Sequence, residues 1–348
     1  MAPKSPGLGA QLTQEYPMTT TLITGAGMIG CHTASILARR GERVVLVDRF
    51  PAHKAIESIV ASALVRVIVQ DVTDFAALHQ LCQTHGVQRI VHTAALLSTA
   101  IRKDPLAGIG VNVMGTANVL EVARQMGIKR VVLASSTTVA YPSFGDFHGA
   151  SFPEDFPLQS LRHRPASIYA ATKVCGEHLG LLYRDLYGVG VVALRYAAVI
   201  GAWSGPGSSV PTQVLSALVV PASRDGVAQI DDPFLLWLGG EEFIDARDCA
   251  WANVAALDAA SPTQGVYNIG AGALSSFDDV VAAVRLVYPK LQVNLGVVAT
   301  GGFAGFAHER HAPCDIVMAA HELHWRPQYG LTESVLHYAP ILARHHQD

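Results

Sequence analysis

The sequence predicts an α/β protein: an open, doubly wound parallel sheet with a smaller, less regular C-terminal portion. Two observations predict it. Short β-branched runs alternate with longer helical stretches through the front half, and a glycine-rich turn follows the first run directly. The runs are residues 20–24, 43–48, 65–69, 89–93 and 130–135. Each is close to continuously apolar, as strands buried on both faces of a parallel sheet are. Helices are expected between them over 30–40, 74–85 and 111–125. This is the βαβα rhythm of a doubly wound sheet. Residues 189–196 form a sixth strand candidate and 267–269 a seventh.

The glycine turn is the sharpest local signal. The strand TTLIT runs into Gly25-Ala26-Gly27-Met28-Ile29-Gly30 and then a helix. In this GxGxxG pattern Gly25 allows the tight turn, Gly27 lets the backbone approach a pyrophosphate, and Gly30 lets helix pack on strand. The amides at the helix N-terminus, with Met28 and Ile29, face the phosphates. The second strand, RVVLVD, closes on Asp48. A carboxylate there accepts hydrogen bonds from the adenosine ribose and repels a 2′-phosphate. The pattern is Rossmann-type, and NAD is the expected cofactor. Arg49 follows at once and, by pairing with a phosphate, would soften that discrimination. The competing reading of Asp48 is a turn aspartate.

Beyond residue 196 the rhythm degrades. Residues 201–211 are rich in Gly, Pro and Ser and read as a loop. The expected division is a flexible extension over 1–17, a dinucleotide-binding domain over 18–196 with a return segment near 241–270, and a mainly substrate-binding portion over 197–348.

Bulk properties narrow the function. Half of the 348 residues are hydrophobic, enough for a large core, and the formal net charge is only −3. No basic face is implied, so nucleic acid is not an expected partner. The first seventeen residues hold three prolines and no apolar run, unlike a signal peptide. No run of eighteen apolar residues occurs, so no membrane span is expected. The five cysteines are scattered and never spaced as CxxC. That suits a reducing, cytoplasmic setting better than a disulfide framework.

Further strings follow in order. They are Asp71-Val72, His92-Thr93-Ala94-Ala95, NVMGTANVL from Asn112, LASSTTV, YAATK, LRYAAVIG, FIDARDCA, VYNIG and LHWRP. With ITGAGMIG they resemble the extended short-chain dehydrogenase/reductase superfamily, the NAD-dependent epimerases and dehydratases, over nearly the whole chain. The resemblance implies that Asp71 and Val72 meet the adenine ring. It also implies cofactor contacts from Ala94, Ala95, Asn112, Val199, Tyr169 and Lys173. Substrate contacts are expected from Ser98, Ser135, Ser136, Ala198 and Arg310, the last because a basic residue there often meets an anionic group. A homodimer through helices 111–125 and 168–187 is implied as well. Three departures stand out. One residue, rather than the usual two, separates the first two glycines. Ala198 replaces an Asn that helps sugar-nucleotide enzymes hold the diphosphate. Thr137 and Thr138 stand where dehydratases carry Asp-Glu.

Within YAATK, Tyr169 and Lys173 lie one helical turn apart on one face. A free tyrosine, with a pKa of about 10, is a poor base at neutral pH. Lys173 and a positive nicotinamide ring both favour the phenolate. Tyr169 then exchanges a proton with a substrate alcohol as the hydride passes to or from NAD. Ser136 matches the serine that holds the substrate oxygen; Ser135 is offset by one and faces the other way.

Other signals are weaker. His308 and His311, and His321 and His324, have i,i+3 spacing, but no Cys or carboxylate completes a metal set, and no metal is expected. Trp203, Phe234 and Trp237 suit a pocket wall or a core. The favoured activity is a dehydrogenase or reductase of a secondary alcohol, such as a sugar, sugar acid or polyol. The alternative is an NDP-sugar epimerase with tightly bound NAD, and the third reading is a dinucleotide sensor without catalysis.

Overall fold

The computed structural model describes residues 19–345 except 208 and 225. The expected extension over 1–17 lies outside the described residues. In chain order the elements are β1 (Thr20–Thr24), α1 (Met28–Arg39), β2 (Arg43–Asp48), α2 (His53–Glu57), β3 (Val65–Val69), α3 (Phe75–His85), β4 (Arg89–His92), α4 (Ser98–Lys103), α5 (Pro105–Ile109), α6 (Gly115–Met126), β5 (Arg130–Ser136), α7 (Ile168–Tyr187) and β6 (Gly190–Tyr196). Then come β7 (Ala198–Ile200), α8 (Val210–Ala222), β8 (Val227–Ile230), β9 (Phe243–Asp245), α9 (Ala246–Asp258), β10 (Val266–Ile269), α10 (Phe277–Val287), β11 (Gln292–Leu295), α11 (Val317–Glu322) and α12 (Leu331–His345).

The apolar runs form one seven-stranded parallel sheet in the order β10-β6-β5-β4-β1-β2-β3. Ile23 of β1 sits opposite Leu46 on one side and Val91 on the other. The chain reverses its direction of winding between β1 and β4, which opens a crevice at the carboxyl ends of those strands. Strand alternation separates two cores. Ile23, Leu46, Val91, Val132 and Leu194 pack with α1 and α9 residues on one face. Leu22, Val45, Ile90, Val131 and Val191 pack with α3 and α6 residues on the other.

The later chain builds a third core, in which Leu215 and Leu218 of α8 meet Trp237, Phe243, Val284 and Tyr338. Two small parallel pairs, β8–β11 and β7–β9, support it. Within the return segment β10 joins the main sheet beside β6. There is also a second return: Ala319, Leu323 and Trp325 enter the main-sheet core. The Trp325 indole donates to the Asp248 carbonyl at 3.0 Å, which ties this return to α9.

The helix expected over 111–125 is longer. A turn of π-helix, Gly110–Met114, joins α5 to α6. The continuous helix Pro105–Met126 is long and apolar enough, by length and composition alone, to cross a membrane. Its Val119, Leu120, Val122 and Ala123 are fully buried against the sheet, as in a core helix.

Candidate active site

The glycine turn forms as its residues require. Gly25 has φ +90°, and a Cβ there would fall 2.6 Å from the Ala94 amide nitrogen. A Cβ on Gly30 would fall 2.0 Å from the Gly25 carbonyl oxygen. Gly27 has open space where its Cβ would be, at the N-terminus of α1. This is the cradle a pyrophosphate needs, with Met28 and Ile29 opening the helix. Asp48 accepts from the Ala26 amide at 2.9 Å and from the Phe50 amide at 2.8 Å. Its carboxylate is thus fixed between the turn and the end of β2, where a ribose would lie. Arg49 pairs with Asp71 across the ends of β2 and β3, Nε to Oδ2 3.4 Å. That carboxylate competes for the charge expected to soften phosphate discrimination. Val72 packs beneath Gly115 and accepts at its carbonyl from Asn118 at 2.9 Å. These residues fit a dinucleotide.

Ala94 and Ala95 begin the segment after β4. Asn112, in the π turn, clamps that segment. Its side chain accepts from the Leu96 amide at 2.8 Å and donates to the Leu96 carbonyl and the Thr172 hydroxyl, both at 3.1 Å. It is buried and holds the segment that follows β4. Ser98 opens α4, which packs against α7. Val199 and Ala198 lie in β7, and the Ala198 amide donates to the Glu242 carbonyl at 2.9 Å.

Ser136, Tyr169 and Lys173 meet where β5 ends against the first turns of α7. Ser167 caps that helix by accepting from the Ala170 amide at 3.1 Å, and Gly188 in the left-handed region ends it. Ser136 accepts from the Thr138 amide at 3.2 Å and from the Thr138 hydroxyl at 3.0 Å. Lys173 donates to the Ala134 carbonyl at 2.6 Å, and its Nζ lies 5.6 Å from the Tyr169 ring centre. Burial pushes the Tyr169 phenol up to about 12, and a hydrogen bond from Ser136 opposes it. Burial pushes Lys173 down to about 8, and Glu177 opposes it. Sequence reasoning expects a depressed tyrosine; in this geometry desolvation outweighs the Ser136 hydrogen bond, and the Lys173 ammonium is turned to β5. Next to it, His92 sits between the hydroxyls of Thr24 at 2.6 Å and Thr116 at 3.0 Å. Burial first, then Lys173, lowers His92 to about 3, so it is neutral.

Two candidate substrate residues have buried partners within the chain. Ser135 is buried and donates to Glu177 Oε1 at 2.5 Å, on the opposite side of β5 from Ser136. Arg310 is also buried. Its Nη1 donates to Glu241 at 2.9 Å, its Nη2 to Glu242, and its Nε to the Ala312 carbonyl at 3.0 Å. Tyr141 completes the cluster by donating to Glu241 at 2.9 Å. The guanidinium lies over the Phe144 ring, 4.7 Å from its centre. This arginine neutralises two carboxylates rather than awaiting an anionic ligand. The adjacent Glu241-Glu242 pair was the signal that sequence reasoning missed. His308 and His311 line an open cleft of about 410 Å³ with Glu309 and Leu238. Trp237 lies in the third core against Phe243, Phe277 and Phe303.

Comparison with known proteins places the chain in a family and a fold. A family model described as the NAD dependent epimerase/dehydratase family matches residues 21–270. UDP-glucuronate 4-epimerase 4 of Arabidopsis thaliana is 24% identical over 350 residues, covering 92% of this chain and 75% of its own length. The solved UDP-glucose 4-epimerase of Thermotoga maritima has a similar fold, with TM-score 0.77 at 21% identity, covering 95% of this chain and 100% of that one. So does L-threonine dehydrogenase of Phytophthora infestans, with TM-score 0.75 at 23% identity and the same coverages of 95% and 100%.

Proposed function

The chain belongs to the NAD dependent epimerase/dehydratase family of extended short-chain dehydrogenases/reductases, and on that premise we propose that it moves a hydride between NAD and the carbinol carbon of a secondary alcohol. The meeting of Ser136, Tyr169 and Lys173 beside the glycine turn carries the proposal. NAD, when bound, would supply the hydride acceptor and the positive charge of its nicotinamide ring. Ser136 holds the substrate oxygen. Tyr169 takes the alcohol proton in oxidation and returns it in reduction. Lys173 supplies positive charge on the side of the phenol facing β5. With Tyr169 pushed to about 12, the resting group is a phenol, the form that donates a proton to a ketone.

Net dehydrogenation or reduction is the reading that the site geometry supports. A nucleoside diphosphate brings negative charge that needs donors and cations. Ala198 offers no side-chain donor, and Arg310 already serves Glu241 and Glu242. The second reading is 4-epimerisation of a nucleotide sugar, in which the hydride returns to the same substrate. The names of the relatives weigh towards it more than towards dehydrogenation. A panel of secondary alcohols, polyols, sugar acids and UDP-sugars with NAD separates the two. NADH absorbance growing with alcohol turnover supports the first reading. Interconversion of UDP-sugars without NADH release contradicts it and establishes the second.

We also infer a homodimer. Leu106, Ile109 and Met114 on the 105–126 helix, with Ile168, Leu182, Leu186 and Tyr187 on α7, are exposed apolar residues on two helices that pack together. Light scattering at micromolar concentration should give twice the mass of one chain; a single-chain mass would exclude the dimer.

A further inference from the structure

Behind Lys173, away from Ser136, lies a small, partly open cavity of about 20 Å³ whose wall mixes apolar and polar groups. His92, Asn112, Thr116, Thr172, Lys173 and Glu177 line it. It has room for one water. Glu177 stands one helical turn beyond Lys173 on the same face of α7. Its carboxylate is buried and rigidly held. Arg195 of β6 grips it with two hydrogen bonds of 2.8 Å, Nε to Oε1 and Nη2 to Oε2, and Ser135 of β5 adds a third at 2.5 Å. Arg195 is itself anchored by the Glu154 carbonyl at 2.8 Å. Two strands of the main sheet, β5 and β6, therefore converge on one carboxylate beneath the lysine.

We propose that Glu177 is a positioning residue that keeps Lys173 in its ammonium form, acting through the lysine and touching neither cofactor nor substrate. The inference rests on the reading of Lys173 as part of the hydride-transfer site. The groups facing Lys173 leave few other sources of negative charge. From β4, His92 is neutral; from the π turn and α6, Asn112 and Thr116 are uncharged; from α7 itself, Tyr169 is a phenol and Thr172 a hydroxyl. From β5 come the Ala134 carbonyl, Ser135 and Ser136. Arg195 on β6 is cationic but is turned onto Glu177. Glu177 is the carboxylate among them. Burial lowers Lys173 to about 8, and Glu177 acts against that fall. The two-pronged arginine clamp fixes this carboxylate in place beside the lysine.

The sign of the consequence is definite. Without the negative charge the ammonium is less stable, so Lys173 loses its proton at lower pH. The lysine charge is needed to favour phenolate, so the alkaline limb of the kcat/KM profile moves to lower pH with it. Glu177→Gln should therefore lower the Lys173 titration and that limb together, by about one pH unit. Glu177→Asp, which keeps the charge, should hold both nearer to the wild-type position. The Lys173 titration is read without cofactor or substrate, by NMR of the reductively ¹³C-methylated protein, the resonance being identified by its loss in Lys173→Arg. If Glu177→Gln does not fold, the double variant Glu177→Gln, Arg195→Gln removes the stranded arginine as well and should still titrate lower. A Lys173 titration unchanged in the folded Gln variant overturns the inference, whatever the loss of thermal stability. An unmutated enzyme inactive with NAD on every alcohol would instead overturn the reading of the site, leaving the NMR titration still interpretable.

Discussion

Arg310→Ala should lower the folding stability by about 3–5 kcal/mol, the scale for removing one partner of a buried ion pair. Glu241 and Glu242 are almost wholly buried, and Arg310 faces both. Burial already raises the Glu241 carboxyl, and Arg310 is the largest influence opposing it. Take the arginine away and the folded protein retains protons that the unfolded chain releases. The sign follows: the variant is least stable above the carboxylate range and recovers as pH falls into it. Urea denaturation of both proteins at several pH values checks this. A substrate-binding arginine would behave differently, raising KM with little change in the denaturation midpoint. That outcome would restore the anionic-substrate role that the structure argues against.

What could be read in the sequence was local. The strands were legible because a parallel strand buried on both faces is an uninterrupted apolar run, as the centre of RVVLVD shows. The glycine turn was legible because its constraint is steric and lies within six residues. The helix carrying Tyr169 ends where Gly188 adopts φ 71°, a stop that the residue type announces. What escaped was pairing between distant residues. Arg310 reads as a free basic residue until the fold brings Glu242 to it across 68 positions. Ser135 reads as a possible ligand contact until Glu177 meets it across 42 positions. The second return of the chain, through Trp325, carries no periodic signal and is legible only from packing.

In the proposed mechanism Tyr169 moves the proton that accompanies hydride transfer. Tyr169→Phe keeps the ring and its packing and removes the ionisable oxygen. Turnover should fall by about 10²–10⁴-fold, the usual scale for a positioned proton-transfer group. NAD should bind as before, because Gly25, Gly27 and Asp48 are untouched. Lys173→Ala removes the charge beside the phenol and the hydrogen bond to the Ala134 carbonyl. The resemblance places Lys173 against the cofactor, so NAD affinity should fall together with turnover. The two changes act through one unit, so the double variant should be little worse than the poorer single one. The deciding measurement is steady-state turnover with a parallel NAD titration on wild type, both single variants and the double. Tyr169→Phe is expected to bind NAD normally yet lose at least about 99% of its turnover. Retention of more than about a tenth, outside the range for such a group, would contradict the mechanism and revive the reading of a protein that binds dinucleotide without catalysis.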